Sequence, residues 1–288
     1  MAEFEYFEPK NLREACNLLD GYKDEAVILA GGTDLLVKVK EEIVEPHYVI
    51  NIKRIPDLSY VTYGEGGLKI GALTLFRDIT RSDVIMDKYP ALHSAARKMG
   101  SPLIRNLATL GGNLVQSSPS ADSAPPLLVY GAKVKLTSSR GERSILLEDF
   151  FLGPGKNARS DDEIMTEVQV PEPDAQAKSN FVKLSRRKGM DLSIANAAAW
   201  LTPDSSDGVC EDIKIALGAV APVPMRAKKA ENTLIGKKLD LDTIREAALM
   251  AQEEVAPISD VRASAEYRLE MVRVLTEKVI LEMLDSQV

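Results

Sequence analysis

Two glycine pairs, each set after an apolar or hydroxyl-bearing run, constrain this chain more than any other feature. They are ILAGGTDLL (Ile28–Leu36) and ATLGGNL (Ala108–Leu114). The second opens a small-residue segment, TLGGNLVQSSPSADSAPP (Thr109–Pro126), with four serines and three prolines, and the apolar run LLVYGAKVKL follows at once. A long loop inside a compact domain is usually functional or disordered. Glycine takes positive φ and lets a ligand come close to the backbone. Successive N–H groups in such a turn form a nest that holds a phosphate oxygen without a charged side chain. Thr33 and Thr109 add hydroxyls and Asn113 an amide. Two such loops suit a long ligand with two phosphates better than a mononucleotide, and ordinary turns between strands are the alternative. Neither is a GxGxxG fingerprint, and GPGKNA (Gly153–Ala158) has Asn157 where a P-loop needs Ser or Thr.

At 288 residues the chain can bury a sizeable core and is expected to divide into two or three domains. A formal charge of -7 argues against a general nucleic-acid binder, and SRRK (Ser185–Lys188) reads as a solvated strand end. Cys16 and Cys210 are far apart, with no CxxC and no Cys/His cluster, so a metal or iron–sulfur site on this chain is not expected. Reduced thiols are favoured over a disulfide. His47 and His93 are the only histidines and read as structural. The opening MAEFEYFEPK has neither basic nor apolar leader character. No apolar run approaches the ~20 residues that span a bilayer. A cytoplasmic protein is expected.

NLREACNLLDG predicts a helix capped by Asn11 and stopped by Gly21, AVILAGG a buried strand entering a turn, DLLVKVKEE a helix and HYVINIK a strand. Together they read as β-α-β-α-β. YVTY and LKIGAL flank GEGG as a hairpin, and helices follow near Leu75–Ser82 and Pro90–Met99. AKVKLTS, ERSILL and EIMTEVQV are strands, and PEPDAQAKS (Pro171–Ser179) is the best domain boundary. FVKLSRR, SIANAAAWL and CEDIKIALGAVA then read as strands. Three helical runs end the chain, the last (Ser264–Leu284) with an apolar stripe of Leu269, Val272, Leu275, Val279 and Met283. Blocks of strands and helices imply α+β rather than a doubly wound sheet.

LAGGTDLL, IRNLATLGGNL, SADSAPPLLVYGAKV, KLSRR, ALGAVAPVPMRAKKAE and SDVRASAEYRLEMVRVL occur in that order along nearly the whole chain. Together they resemble the FAD-binding medium subunit of the molybdenum hydroxylases, the family of xanthine dehydrogenase and carbon monoxide dehydrogenase. The resemblance implies an α+β protein. A two-part FAD-binding domain would cover 1–172, with a small β-α-β unit (1–55) and a mixed α/β subdomain (56–172). A C-terminal domain of antiparallel strands and helices would follow over 178–288. It places FAD contacts at Ile28, Leu29, Ala30, Gly31, Gly32, Thr33, Asp34 and Leu35, and at Thr109, Leu110, Gly111, Gly112 and Asn113, whose backbone amides would hold the pyrophosphate. Asp122 matches a position that contacts FAD, a contact expected through a sugar hydroxyl; the other reading is a helix N-cap. Met165, by its backbone, and Lys183 would approach the isoalloxazine, Lys183 as a cation or equally as a solvated strand residue. Met99 and Val115 are candidates for packing on the flavin, with core packing the simpler reading.

By the same resemblance, a large subunit carries the molybdenum cofactor and hydroxylates the substrate, and a small subunit relays electrons through [2Fe–2S] clusters. FAD on this chain would pass them to NAD⁺ or another acceptor. GGTDLL and SADSAPP lean towards a purine or other N-heterocycle hydroxylase over a carbon monoxide dehydrogenase. The cysteine-rich insertion that binds a further cluster in some relatives is missing. A stand-alone flavin reductase and a flavin-free scaffold are the rival readings. Valine at Gly111 and Gly112 is expected to abolish FAD binding while leaving the fold largely formed.

Overall fold

The computed structural model describes residues 3–203 and 209–285, so the ends of the expected domain spans (1–2 and 286–288) lie outside the described residues. Strands Glu5–Phe7, Tyr48–Asn51 and Ala26–Leu29, in that order, form a parallel three-stranded sheet. Parallel neighbours need crossovers, and the helices Leu12–Tyr22 and Leu35–Lys40 supply them. Asn11 caps the first, its side chain accepting from the Glu14 N–H at 2.9 Å. Gly21 does not stop this helix. The chain turns at Lys23 instead, where φ reaches 47° and the N–H closes on the Leu19 carbonyl. Ala15, Cys16 and Leu19 bury one face against Ile50 and Ile52, and Ile164 of the next sheet joins the same cluster.

The second sheet is antiparallel, in the order Val61–Gly64, Gly67–Gly71, Ile164–Val170, Lys133–Ser138, Gly141–Leu146. Its central strand, Ile164–Val170, is covered on both sides. Ile164 packs on the first unit, while Met165, Val168 and Val170 enter the main core. Helices Phe76–Ile79, Asp83–Lys88 and Pro90–Lys98 precede a further turn of helix, Pro102–Arg105, which hydrophobic periodicity misses because it buries no apolar face. The small-residue segment is not a single loop. It holds the helix Leu110–Val115 and begins the helix Ala124–Val129.

The third sheet runs Lys178–Leu184, Ala195–Pro203, Cys210–Gly218, Met225–Arg226, all antiparallel. Its residues alternate between two cores, as a period of two requires. Ala195, Ala197, Ala199 and Leu201 pack under the helices Lys228–Leu234, Leu241–Glu253 and Ala265–Asp285. Phe181, Ala198 and Ala216 enter the cluster of the second sheet, joined there by Ala124, Leu127, Leu128 and Val129 of the wholly buried helix Ala124–Val129. The Pro171–Ser179 segment therefore joins two sheets that share one core. Cys16 and Cys210 are free and buried in different clusters, their thiols pushed up to about 11 and about 12, chiefly by burial.

Arg268, buried in the last helix, ties that helix to the third sheet. Its guanidinium donates to the carbonyls of Ile194 and Ala219 and to Asp260 Oδ1 at 2.8 Å. Removing one partner of a buried pair strands the others. Arg268→Ala is expected to lower the unfolding free energy by about 3 kcal/mol, read as a drop in the urea midpoint at unchanged slope.

Candidate functional site

A cleft of about 490 Å³ opens where the first two sheets and the Met190–Leu192 segment meet, within the range of roughly 300–1,000 Å³ typical of small-molecule and cofactor sites. Ile28 and the run Ala30 to Leu35 line it, as do Thr109, Gly111, Gly112, Asn113, Asp122 and Met165. Met99 and Val115 line it as well. Leu29 and Leu110 do not; both are buried in the core. The two glycine segments touch: a Cβ on Gly31 would lie 2.5 Å from the Leu107 carbonyl oxygen. Gly31 is therefore required for loop-on-loop packing.

The loops differ in what their backbones offer. Among the described residues nothing accepts from the N–H groups of Gly31, Gly32, Thr33 or Asp34, and Gly32 sits at φ 79°. Consecutive free amides around a left-handed residue make an anion-binding concavity. The second segment spends its amides internally from Leu110 to Asn113. Leu110 N–H donates to Thr74 O at 3.0 Å, Gly111 to Ala72 O at 2.9 Å and Asn113 to Thr109 O at 3.0 Å. Gly112 N–H is capped by Thr109 Oγ1 at 3.1 Å. The expectation that backbone amides across Thr109–Asn113 hold a pyrophosphate narrows to Thr109, whose N–H has no acceptor among the described residues. This segment is a capped helical turn, and neither Gly111 nor Gly112 has positive φ. What remains for a ligand is the Thr109 N–H and hydroxyl hydrogen and the Asn113 amide nitrogen, since Asn113 Oδ1 accepts from Ser123 Oγ at 2.6 Å.

Asp122 does not cap the following helix. Its carboxylate is buried, with Oδ2 2.6 Å from Lys183 Nζ and Oδ1 accepting from Ser193 Oγ at 2.6 Å and Asn196 Nδ2 at 3.3 Å. Burial raises the Asp122 carboxyl, and Lys183 with the two other donors works against that rise. A carboxylate has about four acceptor positions, so one is left. The expectation for Lys183 as a cation at the cleft is also corrected. Its ammonium donates to Asp122, to Asp191 O at 3.0 Å and to Lys98 O at 3.2 Å, which spends all its hydrogens. It lines a smaller neighbouring cleft of about 280 Å³.

Ile164 and Met165 reach the cleft where the central strand slips register, between Met165 and Glu167. A bulge of this kind re-aims the chain beside a site. Glu163, just before it, accepts from Arg143 Nε at 2.6 Å and Nη2 at 2.7 Å. The Arg143 hydrogen bonds hold the Glu163 carboxyl below its usual range, against the opposing effect of burial. Arg159, Gln116, Ser118 and Ser120 also line the cleft, and sequence reasoning missed them. Only tertiary placement distinguishes Arg159 from a solvated turn cation. Among the described residues no group of three His, Cys, Asp or Glu could hold a metal ion.

Residues 2–173 match the family model described as FAD binding domain in molybdopterin dehydrogenase, and 180–283 match the CO dehydrogenase flavoprotein C-terminal domain. The chain belongs to the FAD-carrying medium subunits of the molybdenum hydroxylases. It is 38% identical to the nicotinate dehydrogenase FAD-subunit of Eubacterium barkeri, over 99% of this chain and 98% of the relative. It is 36% identical to the putative xanthine dehydrogenase FAD-binding subunit of Escherichia coli (strain K12), over 96% and 94%. Its fold superposes on a chain of carbon monoxide dehydrogenase from Hydrogenophaga pseudoflava with a TM-score of 0.95 at 31% identity, covering 98% of each. For an FAD subunit, the free amides of Gly31–Asp34 are the fitting feature, because they supply donors for a diphosphate without a lysine or a P-loop.

Gly111 is held by packing rather than by a ligand: a Cβ there would stand 2.7 Å from Ala72 Cβ and 2.8 Å from its carbonyl oxygen. The double valine variant is therefore a poor test of binding. Gly111→Ala alone is expected to cost about 1–3 kcal/mol by overpacking, seen as a lower urea midpoint in protein without cofactor. A second test concerns Glu163. A carboxyl held down in the folded state contributes stability above its unfolded pKa of about 4.3 and loses it as pH falls through the lower folded value. Glu163→Gln should flatten the decline of the urea midpoint between pH 5 and pH 3.

Proposed function

We propose that this subunit relays electrons from the [2Fe–2S] clusters of a small partner subunit to NAD⁺ or another acceptor, in a complex whose large molybdenum-cofactor subunit hydroxylates the substrate. The observation that carries this reading is the run of unspent amides Gly31–Asp34 at the wall of a cofactor-sized cleft. Bound FAD supplies the redox chemistry, accepting single electrons and delivering a hydride. The chain's own residues then have binding roles. Gly31–Asp34 take the diphosphate, with the Thr109 hydroxyl and the Asn113 amide beside it. Asp122 offers its remaining acceptor position to a sugar hydroxyl, the Met165 backbone meets the ring, and Met99 and Val115 pack against it. Lys183 acts behind this wall by fixing Asp122.

The substrate class we infer for the complex is a purine or another N-heterocycle. GGTDLL and SADSAPP support it, as do relatives named for nicotinate and xanthine at 38% and 36% identity. The close superposition on a carbon monoxide dehydrogenase chain favours the second reading, a medium subunit of that type. A stand-alone reductase would need no partners. Among the described residues no helix is long and apolar enough to cross a membrane.

The test is to purify the tagged full-length chain from its native host and record its visible spectrum, release the cofactor and analyse what co-purifies. Flavin absorption, recovered FAD, and molybdenum- and iron–sulfur-bearing partners are expected. FAD without partners would favour the stand-alone reductase, and partners without FAD the scaffold. Gly32→Val, which forces a β-branched residue to a positive φ in the amide run, should weaken FAD binding on the order of tenfold to a hundredfold, the loss of about one charge-assisted hydrogen bond.

A further inference from the structure

Arg159 is the one cationic side chain among the described residues that line the large cleft. Among the described residues it is also a guanidinium without an ion-pair partner. The neighbouring carboxylates are engaged elsewhere or exposed: Glu163 with Arg143, Asp162 with Arg140 at 2.7 Å, and Asp161 facing solvent. Nη1 donates to the carbonyls of Ser160 at 2.9 Å and Glu163 at 2.8 Å, which locks the side chain across its turn. Among the described residues Nε is buried with no acceptor, and Nη2 makes no hydrogen bond. Burial lowers the guanidinium pKa, opposed by Asp161, Glu163 and Asp162. Arginine stays charged under all ordinary conditions. A partly buried charge with a buried, unanswered Nε is costly unless something answers it.

We propose that Arg159 is the charge with which this cleft tunes its flavin, stabilising the negative charge that the isoalloxazine ring carries when reduced. The inference rests on the reading of the cleft as the FAD site. The bond to the Glu163 carbonyl ties the guanidinium to the residue that precedes Ile164 and Met165, which line the cleft with it. The Gly31–Asp34 amides already supply the diphosphate with donors. Lys183 cannot supply the charge, since Asp122 neutralises it at 2.6 Å. Two electrons and one proton convert oxidised flavin to its singly charged reduced anion, and a second proton gives the neutral form. Arg159 gives up no proton in either step. It favours the anion electrostatically, the kind of tuning a protein contributes to a cofactor.

The experiment uses the full chain loaded with FAD, as wild type, Arg159→Leu and Arg159→Lys. The midpoint potential is measured by dye equilibration with dithionite as reductant, and FAD affinity by fluorescence titration of the oxidised form. Arg159→Leu is expected to weaken binding of reduced relative to oxidised FAD about tenfold, a shift of about 30 mV to more negative potential for a two-electron couple. Arg159→Lys should keep most of the wild-type value, because the charge is retained. An unchanged potential in a folded, FAD-loaded Arg159→Leu protein would overturn the proposal. So would a loss of FAD affinity without a potential shift, which would put the guanidinium on the phosphates. Should the leucine variant fail to fold, Arg159→Gln replaces it, keeping polar contacts without charge and carrying the same two outcomes. A wild-type chain that takes up no FAD would instead overturn the reading of the cleft itself.

Discussion

Asp122 and Lys183 face each other across 2.6 Å with each side chain 5% exposed, and the arrangement of the cleft depends on that pair. Asp122 stands just before the buried helix Ala124–Val129, and Lys183 lies on the edge strand Lys178–Leu184 of the third sheet. Ser193 and Asn196 complete the carboxylate, so the desolvated charge is answered on several sides. Removing either partner of such a pair typically costs about 3–5 kcal/mol, because the other is left buried alone. The same ammonium also holds the carbonyls of Lys98 and Asp191. One cation therefore sets three segments around the cleft: the end of the helix Pro90–Lys98, the Asp122 turn, and Met190–Leu192.

The glycines of the two marked segments serve different ends. Gly31 is small because the second segment's backbone lies against it, and Gly32 is glycine because its φ is 79°. Gly111 is small because Ala72 leaves it no room for a Cβ. Among the described residues the first segment leaves four consecutive amides unspent and the second only that of Thr109, so the donors open to an anion concentrate in the first. A shared GG pattern thus conceals one nest and one packed helical turn. Hydrogen-bond accounting separates them, because every amide used in a helix or bridge is lost to a ligand.

Much of the architecture was legible from pattern alone. Alternation placed Val134 and Leu136 inward on Lys133–Ser138, and Asn11 capped its helix as its spacing with Glu14 indicated. The GEGG hairpin and the stripe of the last helix also formed, with Val272, Leu275, Val279 and Met283 buried. What pattern missed has physical causes. Gly21 was tolerated inside a helix because glycine costs only about 1 kcal/mol there. Leu110–Val115 was hidden because small residues carry no apolar period. Lys183 was misplaced because a sequence shows that a lysine is present but not which acceptors take its three hydrogens.

The sequence by itself determined most strands and the longer helices, the α+β class and the positions of the glycine segments, because these follow from local periodicity and backbone permission. The resemblance of its ordered motifs added the cofactor and the family. Tertiary structure alone decided that two sheets share one core across the Pro171–Ser179 segment. It decided which amides stay free and that Lys183 is neutralised behind Asp122. It also left Arg159 as the cation of the cleft without an ion-pair partner among the described residues. Each of these is a contact between residues distant in the chain, and its energy comes from desolvation and partner geometry that no local pattern encodes.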